Sequence, residues 1–292
     1  MSAVDTAALT NPRARRRVLL RKRFLRRRMA VAGLVVVIGF VVMALFAPWL
    51  APYPPGQVDF NSLLAPPSRE HLLGTDALGR DELSRLIWGA RASLQAGVLA
   101  TLLALIIAWP IGMVAGYYRG WIDAVVARVT DVLLAFPFLI LAVGLAAIFG
   151  PSLLNATLAL GIGAAPALIR VARGETFALR EEDYVPAAIT NGASDRTIIF
   201  RHLFPNMTST LLVQATVTIP AAIVGEAVLS FLGLGVQPPT PSWGTMLQDA
   251  QSYLTQAPRL AVFPGLAIVL AALAFNMLGD GLRDIFDPRT TR

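Results

Sequence analysis

Six stretches of this chain are apolar along almost their whole length, with the polar residues gathered between them. Residues 29–50 form a 22-residue run without a charge, and about 20 apolar residues in a helix cross a hydrocarbon core of ~30 Å. Similar runs occupy residues 93–116, 132–149, 153–169, 208–232 and 260–278. The pattern predicts an all-α polytopic membrane protein with six transmembrane helices. Pro110, Pro137, Pro166, Pro220 and Pro264 fall inside these runs. Each removes a backbone donor, so kinks are expected there, with neighbouring helices satisfying the freed carbonyls. A cleaved secretory signal competes for the first run. Its apolar region would be shorter, roughly 7–15 residues, and Pro48 stands where small residues would be needed for cleavage. A retained helix is the expectation.

Charge gives the pattern a direction. Ten of the 25 Lys and Arg lie in residues 13–28, ahead of the first run. A basic cluster beside a span marks a cytoplasmic flank held by anionic membrane lipid, so the net charge of +7 does not point to nucleic acid. With the N-terminus inside, the inner segments hold 20 of the Lys and Arg and the outer segments 5, a clear positive-inside bias. Both termini are expected in the cytoplasm. The organisation is then a basic tail (1–28), a first transmembrane helix (29–50), an external loop (51–92), a five-helix core (93–280) containing an inner loop at 170–207, and a second tail (281–292). Composition agrees: 55% of residues are hydrophobic and only 15% charged, against about 25% charged in soluble domains.

The inner loop has a pattern of its own. Glu181, Glu182 and Asp183 form an acidic start suited to a helix N-terminus. Tyr184 to Ile189 then read as a short apolar helix stopped by Gly192. Asp195 begins a second helix, which Pro205 is expected to end before the fifth span. Two short helices make either a compact protrusion that seats in a groove of another protein or a plain connector. In the external loop, Leu83, Leu86 and Ile87 fall at helical spacing among alternating acids and bases, so an interfacial amphipathic helix is expected, with Trp88 at headgroup level. Glu226 is the one ionisable residue well inside an apolar run. Such a group either lines a wet pathway near an outer gate, with Ser230 and Phe231 beside it, or bonds loop backbone. Gly112 and Gly116 make a small-xxx-small helix-packing face.

Residues 186–205 resemble the EAA loop of ABC-importer permeases, in which Glu-Ala-Ala, a glycine and a terminal Leu-Pro recur at fixed spacing. Ala187, Ala188, Gly192 and Pro205 fall on that spacing, while Pro186 stands in place of the glutamate, His202 of the isoleucine and Phe204 of the leucine. Three further stretches narrow the resemblance to the C-type permease subunits of dipeptide and oligopeptide importers: LGTDALGRD at 73–81 running on to GARASL at 89–94, EAVLSFLGLGVQPP at 226–239 followed by SWG at 242–244, and GDGLRD at 279–284 with DP at 287–288. The resemblance implies a type I importer permease fold in a bacterial cytoplasmic membrane. It implies a second permease subunit as heterodimer partner, one or two ABC ATPase subunits and an external solute-binding protein. It makes Tyr184, Pro186, Ala187, Ala188, Gly192, Ala193, Asp195 and Pro205 the residues expected to couple to the ATPase.

Other chemistries find little support. No Walker loop is present and Lys22 is the only lysine, so ATP and Mg are expected on the partner ATPase, with no cofactor on this chain. There is no cysteine, and His71 and His202 fall on opposite sides of the membrane in this topology, which leaves no zinc motif and no catalytic constellation. A non-catalytic pore subunit is expected. A proton- or ion-coupled secondary transporter would need a mid-membrane site, for which only Glu226 offers itself.

Overall fold

The computed structural model describes residues 24–286. Most of the basic N-terminal tail and the Asp287-Pro288 pair lie outside the described residues. Among the described residues the main elements are helices, in the order α1 (Arg28–Leu45), α2 (Ala47–Leu50), α3 (Glu82–Tyr118), α4 (Gly120–Leu134), α5 (Phe138–Phe149), α6 (Leu153–Arg180), α7 (Tyr184–Thr190), α8 (Asp195–Thr197), a π-helical turn (Ile198–Leu203), α9 (Phe204–Phe231), α10 (Trp243–Ala250) and α11 (Arg259–Phe286). Among the described residues five helices are long and apolar enough to cross a membrane, and α4 with α5, bent by 88°, makes a sixth if the pair is counted as one span.

The bend has a local cause. Pro137 lies between α4 and α5 and brings no N–H to continue the ladder, and its extended backbone (φ −55°, ψ 131°) ends one helix and starts the next. The third span expected at 132–149 is therefore a broken one, beginning much earlier, at Gly120. The other four prolines sit inside continuous helices. The first span is also interrupted, at Phe46.

Small residues set the packing. A Cβ on Gly112 would lie 2.6 Å from the Ala172 Cβ, one on Gly116 2.6 Å from the Thr176 Cβ, and one on Gly161 2.7 Å from Leu103. These glycines let α3 and α6 approach along most of their length, as the 112/116 spacing predicts. At the far side, Gly33 admits α11 to α1, with a Cβ position only 2.6 Å from the Ala274 carbonyl.

The segment 51–92 corrects the sequence reading. No separate surface helix precedes span two. A single 37-residue helix begins at Glu82, about 55 Å long at 1.5 Å per residue, and its first turns are enclosed by the loop. Glu82 and Arg85, expected on a wet face, are 2% and 3% exposed. The LGTDALGRD segment is what encloses them. Asp76 accepts hydrogen bonds from the Leu78 and Arg80 amides at 2.8 and 2.9 Å and from the Arg80 Nε at 2.6 Å. Asp81 caps the helix by accepting from the Ser84 amide at 2.7 Å and pairs with His71 at 2.9 Å. Arg80 and Arg85 both reach Asp249, in the last turn of α10, at 2.9 Å. Gly79 has φ +73°, and a Cβ there would fall 1.8 Å from the Asp59 carbonyl, so the turn requires glycine.

Candidate coupling site

The segment 181–203 closes one end of the bundle. α7 forms as its composition predicts, and Gly192 ends it with φ +78°. The Gly192 and Ala193 amides bond back to the carbonyls of Ile189 and Ala188 at 2.9 and 3.0 Å, and Asn191 Nδ2 donates to the Ala187 carbonyl at 2.8 Å. Pro186 causes no break. It lies in the first turn, and the first i→i−4 bond of the segment is made by the next residue, Ala187 to Asp183 at 3.3 Å. The acids 181–183 do not cap it through their side chains.

α7 is amphipathic across its short length. Val185 is 1% exposed and sits in a cluster with Ile198, Leu203 and Met207 from the following turns and Met113 from α3, with Tyr184, Ala188 and Ala193 packed at its edge. Pro186, Ala187, Thr190 and Gly192 are exposed, and Ile189 is 54% exposed on the same outward face. Ile189 is the residue the site reading missed. No local signal marked it: four residues after Val185, Ile189 falls on the same face by helical periodicity, and only the packing of the short helix leaves it 54% exposed.

Pro205 does not end a helix. It occupies the first turn of α9, where a missing N–H costs nothing. The π-helical turn before it absorbs the change in register, with the Phe204 amide bonding to Ile199. Asp195 through Phe231 thus run as one 37-residue helical stretch, so the second half of the loop is continuous with span five. Three other links fasten it. The Tyr117 hydroxyl at the end of α3 donates to Asp195 at 2.7 Å, Arg180 at the end of α6 donates to the Tyr117 carbonyl, and Arg119 pairs with Glu181. Ser194 caps α8 by accepting from the Thr197 amide at 3.4 Å. Above this level Arg173 Nη2 donates to Asp123 at 2.8 Å, tying α6 to α4.

The opposite end holds the second group of expected site residues. Glu226 and Ser230 are fully buried, and Phe231 is 38% exposed at the end of α9. The Glu226 carboxylate accepts from the Ser93 hydroxyl at 2.8 Å and the Ser230 hydroxyl at 2.6 Å. Those hydroxyls in turn accept from the amides of Trp243 at 3.2 Å and Val236 at 3.0 Å. Glu226 thus reaches loop backbone indirectly, through two serines. Trp243 is fully buried, donates Nε1–H to the Leu86 carbonyl at 3.1 Å and packs edge-on against Phe40 at 5.4 Å. Gly235 and Gly244 allow the loop in: Cβ atoms there would lie 2.1 Å from the Ser230 Oγ and 2.6 Å from Ala227. The EAVLSFLGLGVQPP and SWG segments are one interlocked knot joining α3, α9 and α10.

Known proteins share this sequence and fold. Residues 108–292 match the family described as binding-protein-dependent transport system inner membrane component, and residues 17–67 match the N-terminal transmembrane domain of oligopeptide transport permease C. The chain is 43% identical over 268 residues to the dipeptide transport system permease protein DppC of Alkalihalophilus pseudofirmus, covering 92% of this chain and 88% of that one. It is 45% identical over 269 residues to the glutathione transport system permease protein GsiD of Pectobacterium atrosepticum, covering 92% and 89%. Among solved structures, inward-facing conformations of the MetNI methionine ABC transporter share the fold, with a TM-score of 0.59 at 19% identity over 70% of this chain and 97% of that one. The bent span, the helical loop at 181–203 and the matches across both halves lead to one conclusion: this chain belongs to the binding-protein-dependent transport system inner membrane components, as a permease subunit of the ABC-importer type.

Proposed function

We propose that the chain forms one half of the pore of an ATP-driven importer of small peptides in a bacterial cytoplasmic membrane, with the 181–203 end facing the cytoplasm. A second permease subunit completes the pore, one or two ABC ATPases bind ATP and Mg, and an external binding protein delivers the solute. Peptides are the solute class because the relatives at 43% and 45% identity carry the names of dipeptide and glutathione permeases. The orientation follows the excess of Lys and Arg at that end.

One observation carries the coupling role: α7 is anchored by a single buried side, while Pro186, Ala187 and Ile189 project outward from a base continuous with span five. An exposed apolar knob on a fixed helix seats in a groove of a partner protein. Because Asp195 through Phe231 are one helical stretch, displacement of α7 turns span five as a unit, and the Tyr117 and Arg180 contacts carry it to α3 and α6. The test is copurification. Ile189→Glu is expected to lower ATPase recovery on a tagged permease at least tenfold, while leaving the permease pair intact, since Ile189 is 54% exposed and lies outside the Val185 cluster. Undiminished recovery would refute α7 as the docking element. A proton-coupled mechanism is disfavoured by the enclosure of Glu226 among its hydroxyl partners.

A further inference from the structure

Where α4 breaks into α5, the structure leaves a cavity of about 440 Å³ between the break, α6 and α9, within the range of about 300–1,000 Å³ typical of small-molecule sites. One wall is the break itself, with Phe136 and Phe138 on either side of Pro137; another is small residues of α6, among them Gly163 and Ala167. The third wall is α9, and it is polar. Gln214 and Thr218 line the cavity one helical turn apart. The Thr218 hydroxyl is occupied, donating to the Gln214 carbonyl at 2.8 Å. The Gln214 side-chain amide has no partner among the described residues.

Gln214 lies ten residues into a 28-residue apolar helix, about 15 Å from its start. An unpaired amide at such depth is costly against lipid and belongs where protein or a wet cavity meets it. Irregular backbone at membrane depth is tolerated under the same condition. The unpaired amide and the helix break face one cavity, so two independent costs are met at one place. No charged side chain lines it. An amide offers one acceptor and two donors, which match the C=O and N–H of a peptide bond and ignore the charge of the residues it joins.

The geometry points to Gln214 as a solute-contacting residue: this cavity takes the amide groups of a passing peptide through Gln214, beside Thr218, and is indifferent to the peptide's net charge. This rests on the peptide-importer reading above. The test uses the full complex in proteoliposomes, with uptake of Ala-Ala, Ala-Asp and Ala-Lys measured alongside ATP hydrolysis. Gln214→Leu should slow all three about tenfold with hydrolysis retained. Gln214→Glu, nearly the same shape, should slow Ala-Asp about tenfold while Ala-Lys stays within about twofold of wild type. Wild-type rates in both variants would overturn the role of Gln214 alone. A wild-type complex that hydrolyses ATP but takes up no peptide would overturn the peptide reading, and this inference with it. Because the chain has no cysteine, a second measurement is independent of transport. Gln214→Cys in the assembled complex should react with a water-soluble maleimide and be protected by Ala-Ala, while Leu212→Cys, on the opposite side of α9, should not react. An inert Gln214→Cys, covered by the second permease subunit, would overturn the inference.

Discussion

Glu226 shows how one buried side chain can tie loop backbone to a helix bundle. Its two oxygens are each met by a serine hydroxyl, and each serine also receives a backbone amide of the 233–243 loop. Removing the carboxylate leaves two buried hydroxyls without acceptors, each costing about 1–3 kcal/mol. Glu226→Ala should therefore lower the unfolding temperature of the purified chain in detergent by several degrees. Glu226→Gln, which keeps an acceptor oxygen for one serine, should lose less. Equal stability of the alanine variant and wild type would show that the knot contributes nothing. Part of this was legible beforehand. A lone acid in an apolar run demands partners, and loop backbone was one of the two expected. Its serine intermediaries were not legible, because Ser93 lies 133 positions away and no local pattern marks the pair.

Among the helices, hydropathy located the apolar runs well and their ends poorly. Runs end where side chains become polar, but helices end where backbone hydrogen bonds stop. Glu82, Ser84 and Arg85 interrupt the apolar pattern yet are helical and buried, because the preceding loop encloses them and Asp76 and Asp249 pair with Arg85. The same cause misplaced the end of the coupling segment: Pro205 looked like a stop, while its position in the first turn of α9 makes it compatible with continuation. α7 was read correctly since its signals, a short apolar run and a glycine with positive φ, are local. The Gly112/Gly116 spacing was likewise sufficient to expect close helix packing. Gly116→Leu should drive α3 from α6, since even a Cβ meets Thr176 at 2.6 Å, and overpacking typically costs about 1–3 kcal/mol. Gly39→Leu, where a Cβ meets nothing within 4 Å, is the matched comparison. Thermal unfolding in detergent should separate the two, and equal midpoints would contradict the tight α3–α6 contact. Strain at Gly116 should also reach the coupling segment, because the next residue, Tyr117, bonds to Asp195.

At the scale of the molecule, polar chemistry sits at the two ends and near one break, with small-residue helix contacts between. One end is a buried ionic and hydroxyl knot involving α3, α9 and α10; the other carries α7, packed through Val185 on the helical stretch that runs into span five. That division suits a lever with a fixed top and a driven base, and it requires the α7 end to face the ATPases in the cytoplasm. The absence of cysteine makes this directly measurable. Ile189→Cys should react with an impermeant maleimide in inside-out membrane vesicles and not in right-side-out ones, and should be shielded when the ATPases are assembled. Gly56→Cys, in the external loop, should react only in right-side-out vesicles. Labelling of Ile189→Cys from outside, or unchanged labelling in the presence of bound ATPases, would contradict the account.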